Sequence, residues 1–178
     1  SEIEDEARRA GVDAFITKPL FRSRLAATLK DVVSGRPERS AKDYLKGFEE
    51  ADYSDKRVLI VEDNDLNRDI AVEIVGMTGV RIDTAENGKE AVDKIEKFPE
   101  DWYNLVFMDI QMPVMNGYET TAAIRTLSGK RGSIPIVAMT ANAFAEDVQM
   151  AKNTGMNEHI AKPLDFNRLN MILREYLK

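Results

Sequence analysis

The sequence predicts a doubly wound α/β fold, a five-stranded parallel sheet with helices on both faces. Three observations carry that prediction. From Arg57 onward, short apolar runs alternate with amphipathic segments through five successive βα units. The first of these runs is continuously apolar rather than alternating, as in a strand buried on both faces of a parallel sheet. Glycine stops and turn residues punctuate the runs. The first strand is Val58-Leu59-Ile60-Val61. Leu66, Ile70, Ile74 and Met77 then recur at helical spacing and are expected to face inward, up to a stop at Gly79. A second strand spans Val80 to Thr84, followed by a helix from Gly88 to Phe98 with Ala91, Ile95 and Phe98 inward. Leu105-Val106-Phe107-Met108 is the third strand, and a helix follows Asn116-Gly117. Pro135 to Met139 is the fourth, with a helix from about Ala143 to Asn153. The fifth strand ends at Lys162-Pro163 and precedes a helix with Leu169, Ile172, Leu173 and Tyr176 on one stripe.

An internal repeat sets the domain organisation. Ala10-Gly11-Val12-Asp13-Ala14-Phe15-Ile16-Thr17-Lys18-Pro19-Leu20 aligns with Thr154-Gly155-Met156-Asn157-Glu158-His159-Ile160-Ala161-Lys162-Pro163-Leu164 at a constant offset of about 144 positions. Each copy leads into an amphipathic helix, the first carrying Leu25, Leu29, Val32 and Val33. The first copy lacks the preceding strands, so residues 1–34 are expected to be the C-terminal remnant of a preceding domain. Ser34-Gly35-Arg36-Pro37 has helix-stop chemistry, and residues 35–56 are read as a linker, either loose or carrying a short helix around Tyr44, Leu45 and Phe48. Residues 57–178 make the complete domain. The remnant's unpaired strand and its Leu25, Leu29 and Val33 face are an association hazard, so burial against the intact domain or against a second copy is expected, with a symmetric homodimer through this segment the favoured outcome.

Composition narrows the function classes. Without cysteine there are no disulfides, thiolate metal sites or cysteine nucleophiles, and one histidine leaves no multi-histidine metal site. A net charge of -6 opposes nucleic acid phosphates, so no direct nucleic acid binding is expected. No apolar run reaches the length of a membrane span, and Ser1 to Glu6 is acidic, unlike a signal peptide.

In such folds the ligand lies beyond the carboxyl ends of the strands. Strand one ends in Glu62-Asp63, strand three in Asp109, strand four in Thr140 and strand five in Lys162. Three converging carboxylates require a cation, most naturally Mg²⁺ with its preference for oxygen ligands. The chemistry that fits is phosphoryl transfer to a carboxylate: Asp109 attacks, Lys162 and the metal neutralise charge, and Thr140 donates a hydrogen bond.

Val61-Glu62-Asp63-Asn64, Met108-Asp109-Ile110-Gln111-Met112-Pro113, Met139-Thr140-Ala141 and Lys162-Pro163 resemble the receiver domains of two-component response regulators. Asn67 and the loop from Pro113 to Tyr118 look most like receivers attached to hybrid sensor histidine kinases. The resemblance implies a CheY-like, flavodoxin-like fold and makes Asp109 the phosphoacceptor. Glu62, Asp63, Asp109 and the Gln111 backbone carbonyl would hold Mg²⁺, and Lys162 would contact the phosphoryl. Gln111 and Asn142 would set phosphoryl lifetime. Thr140 would share helix capping with a switching role. His159 lies where the family usually places a switching aromatic, with Phe15 at the matching place in the repeat, and its role is open between a switch and a half-buried surface histidine. Lys162-Pro163 is expected to be cis. The implied partner is a histidine kinase or histidine phosphotransfer domain, the expected location is cytoplasmic with a parent free to be membrane-anchored, and the N-terminal piece implies a tandem-receiver parent. The domain would catalyse its own phosphotransfer and dephosphorylation, yet no phosphate-binding glycine loop or phosphodonor histidine motif marks a kinase segment.

Rival motifs fail. Asp63-Asn64-Asp65 opens like a calcium loop, but Arg68 stands where glycine is required and Ile74 where a bidentate glutamate is required. The same run resembles the nucleophile motif of haloacid-dehalogenase phosphatases, which would leave the Asp109 loop without a role. A non-phosphorylated interaction module would have lost the acid pair or Asp109, and neither is lost.

Overall fold

The computed structural model describes residues 52–141 and 145–177. Strand β1 (Arg57–Val61) leads to helix α1 (Asp65–Gly76), β2 (Arg81–Ala85) to α2 (Gly88–Lys97), and β3 (Leu105–Asp109) to α3 (Gly117–Arg125). A short 3₁₀ turn (Gly129–Ser133) precedes β4 (Ile136–Thr140), α4 (Ala145–Thr154), β5 (Glu158–Ala161) and α5 (Phe166–Tyr176). Local chemistry sets the helix starts. Asn64, Asn87, Asn116 and Asp165 each cap a helix through a side-chain oxygen that accepts a main-chain N–H in the first turn. At Asn116 the cap is reciprocal, with Glu119 reaching back to the Asn116 N–H.

The strands pair in parallel in the order β2-β1-β3-β4-β5. The order reverses between β1 and β3, and the crevice beyond their carboxyl ends is the expected ligand position. Register brings the functional positions level: Val61 pairs with Met108, Asp109 with Met139, and Thr140 with Ala161. Every residue of β3 and β4 is buried, as their continuous apolar runs predict. Leu59, Val61, Val106, Met108, Ile136 and Ala138 form one core with Ala91, Ile95, Ile124 and Ala151 of α2, α3 and α4. Strand alternation turns Val58, Ile60, Phe107, Val137 and Met139 to the other face. Among the described residues no helix is long and apolar enough to cross a membrane.

One expectation needs correction. Leu66 and Met77 do not face inward; they are 68% and 50% exposed. The buried face of α1 is Ala71, Ile74 and Val75, and at 3.6 residues per turn Leu66 and Met77 lie well round the helix from its centre. Packing also starts before the first strand: Tyr53, in the sequence read as linker, is only 4% exposed, and its carbonyl accepts from the Lys56 N–H at 2.9 Å. The expected remnant 1–34, its Lys18-Pro19 and its pairing face, most of the linker, and Asn142 lie outside the described residues.

Candidate functional site

Each central strand delivers polar residues to one rim. Glu62 follows β1 directly and is 1% exposed, whereas its neighbour Asp63 is exposed. Asp109 is the last residue of β3 and is 5% exposed. Thr140 closes β4 and is buried. Lys162 follows β5 directly, and its main-chain N–H donates to the Thr140 carbonyl at 2.7 Å. The Lys162–Pro163 peptide bond is cis, as expected.

The lysine ammonium bridges the two buried acids. Lys162 Nζ lies 2.5 Å from Glu62 Oε2 and 2.9 Å from Asp109 Oδ2. The other Glu62 oxygen, Oε1, accepts from Asn67 Nδ2 at 3.2 Å, and Asp109 Oδ1 accepts from the Gln111 N–H at 3.3 Å. Burial pushes the Asp109 carboxyl up, and the Glu62 charge adds to it. Lys162 and the Gln111 N–H pull it down without cancelling the rise.

Glu62, Asp63 and Asp109 present carboxylate oxygens within 4.8 Å of one another. Like charges about 5 Å apart repel by roughly 3 kcal/mol per pair at an effective dielectric of about 20. One ammonium offsets one of three negative charges, which leaves a site near -2 lined by hard oxygen donors. That donor set and charge fit Mg²⁺.

Residues 58–174 match the model of the response regulator receiver domain. The chain belongs to this family. It is 35% identical over 125 residues to hybrid signal transduction histidine kinase L of Dictyostelium discoideum, a match that covers 68% of this chain and 7% of that protein. The chain therefore spans a small part of the length of that relative. It is 33% identical to the receiver domain of sensor histidine kinase PA1611 from Pseudomonas aeruginosa PAO1, with a TM-score of 0.62 over 68% of this chain and 97% of that one. That structure has a magnesium ion coordinated in the active site cleft. It is 30% identical to the Saccharomyces cerevisiae Ssk1 receiver domain, crystallised with the histidine phosphotransfer signaling protein Ypd1, with a TM-score of 0.60 over 68% of this chain and 88% of that one. The chain thus carries a CheY-like receiver domain of a two-component phosphorelay.

Among the residues expected at the receiver site, the structure brings together Glu62, Asp63, Asp109 and Lys162, with the Gln111 main chain against Asp109. His159 stands half-buried on β5, paired with Ala138 of β4, and its Nδ1 lies 3.2 Å from Glu158 Oε1. Glu158 also pairs with Arg168 of α5 at 2.9 Å. No bond ties His159 to the acid cluster in this arrangement, among the contacts of the described residues.

Three contributors to the site are not apparent from sequence reasoning. Asn67 stands out only through the family resemblance, and its bond to Glu62 is a tertiary fact. Arg68 donates from Nη1 to the Glu62 carbonyl at 2.9 Å and pairs with Asp65 at 2.5 Å, which fixes the turn that carries the acid pair. Gly117 reads as a turn signal, but it serves close packing: a Cβ there would fall 2.3 Å from the Asp109 carbonyl oxygen and 2.9 Å from Ile110 Cα.

Proposed function

We propose that this receiver accepts a phosphoryl group from a phosphohistidine onto Asp109, and that the donor is a histidine kinase or histidine phosphotransfer domain. The supporting observation is a buried carboxylate with an ammonium at 2.9 Å and two further acids close enough to share a cation. An Asp109 oxygen attacks phosphorus, the P–N bond breaks, and its electron pair leaves with the imidazole. A carboxylate needs no base for this step. Lys162 turns from the acids to the phosphoryl oxygens, and the Thr140 hydroxyl donates to another. Glu62, Asp63, Asp109 and the Gln111 carbonyl would hold Mg²⁺, which when bound neutralises charge on the transferring group. The new phosphoryl charge draws Thr140 toward Asp109, and His159 responds as the switching residue on β5.

Intact-mass measurement after treatment with acetyl phosphate and Mg²⁺ tests the reading. A single phosphoryl adduct is expected, absent in Asp109→Asn and in excess chelator. An adduct of equal yield in either case overturns the assignment.

A further inference from the structure

We propose that Asn67 is a positioning residue for phosphoryl transfer, its side-chain amide holding the Glu62 carboxylate in place while Lys162 changes partners. The inference rests on the function proposed above. Glu62 is almost wholly buried, so each of its oxygens needs a donor. Lys162 serves Oε2 and Asn67 serves Oε1. The lysine is shared, because the same ammonium contacts Asp109. When it turns to an incoming phosphoryl group, Glu62 loses that ammonium, and beside the Mg²⁺ it would help to hold, the Asn67 amide is the side-chain donor that stays behind among the described residues. The amide comes from a fixed base. The Asn67 N–H donates to the capping Asn64 Oδ1 at 3.0 Å, and the next residue, Arg68, grips the Glu62 carbonyl at 2.9 Å. The first turn of α1 therefore holds Glu62 at both its side chain and its main chain. The cap uses the Asn67 main chain, so changing its side chain leaves the helix start intact.

The test compares the full chain with Asn67→Ala and Asn67→Asp, the second of which keeps the size but replaces the donor with an acceptor. Two quantities are read well below every unfolding midpoint: the rate of adduct formation from acetyl phosphate at saturating Mg²⁺, and the Mg²⁺ affinity from amide shifts. The thermal midpoint itself is the third. Partners of metal-binding side chains typically contribute roughly 10- to 100-fold, so Asn67→Ala is expected to lose about tenfold in rate and several-fold in affinity. Its midpoint should stay within about 3 °C of the parent. Asn67→Asp should be no faster than Asn67→Ala. A rate and an affinity within about twofold of the parent in Asn67→Ala, or a parental rate in Asn67→Asp, overturns the inference. If the parent itself takes no phosphoryl group, the functional reading fails instead, and the Mg²⁺ titration still reports on Glu62.

Discussion

At the scale of single residues, Arg125 makes five side-chain hydrogen bonds outside the site. Its Nε and Nη2 donate to the Gly155 carbonyl at 3.0 and 2.8 Å. Nη1 donates to the Gly132 and Ile134 carbonyls at 3.1 and 2.8 Å, and Nη2 also reaches Asn157 Oδ1 at 3.0 Å. One guanidinium thus ties the end of α3 to the 3₁₀ turn and to the entry of β5, the strand that leads to Lys162. A lysine carries the charge but not the planar fork, so it would leave several of these acceptors unserved. Hydrogen bonds to charged groups are worth about 1.5–3 kcal/mol each and are not additive, so Arg125→Lys is expected to lose about 2–4 kcal/mol in urea denaturation. A loss below about 0.5 kcal/mol, the range of an ordinary surface substitution, would show that the network is not what holds these loops. Nothing in the sequence marks Arg125, because its partners are mostly main-chain carbonyls that carry no side-chain signature. The contact of Asn67 is hidden for a different reason: the resemblance singles the residue out, but its acceptor, the Glu62 carboxylate, is defined only once α1 folds back over the end of β1.

At the scale of elements, the strands are legible in the sequence and the helix faces less so. Continuous apolar runs admit one arrangement in a doubly covered sheet, and β3 and β4 are buried throughout. The acids, Thr140 and Lys162 are legible because parallel register makes strand ends converge. The inward face of α1 is not, because Leu66 and Met77 fit a helical spacing with Ile70 and Ile74 that spacing alone cannot distinguish from the true face through Ala71 and Val75. The β3–α3 connection has its own constraint. Val114 has a φ of 69°, and Gly117 begins α3 pressed on the Asp109 carbonyl, with its N–H donating to the Ile110 carbonyl at 3.0 Å. A methyl group at Gly117 has backbone on its path and cannot be accommodated by a side-chain rotation. Gly117→Ala is therefore expected to displace the phosphoacceptor loop, with about 1–3 kcal/mol of destabilisation and at least about tenfold slower adduct formation. A folded Gly117→Ala variant that is phosphorylated at the parental rate would contradict this account.

At the scale of the whole molecule, the site costs stability that Mg²⁺ should restore. Burial raises the Asp109 carboxyl, and Lys162 does not fully offset it, so the folded state disfavours the ionised form. With the folded value above the unfolded one, the associated stability is present below the ordinary carboxylate range and is lost as pH rises through the raised value. In chelator near neutral pH, the parent should therefore be less stable than Asp109→Asn, which keeps the shape and the Glu62–Lys162 pair while removing the buried charge. Relief of such a functional cost is commonly worth about 0.5–2 kcal/mol. Lowering the pH toward the ordinary carboxylate range should narrow the gap, because the parent then carries a neutral Asp109 as well. Mg²⁺ shifts the balance the other way. Binding to the folded state alone stabilises by about 2.7 kcal/mol at a concentration about 100 times the dissociation constant, and the parent with three carboxylates should gain more than the variant with two. Thermal unfolding of both chains with and without Mg²⁺ at two pH values measures each difference. If Asp109→Asn melts at or below the parent in chelator at neutral pH, the cluster carries no net electrostatic cost, and the lysine alone balances the site.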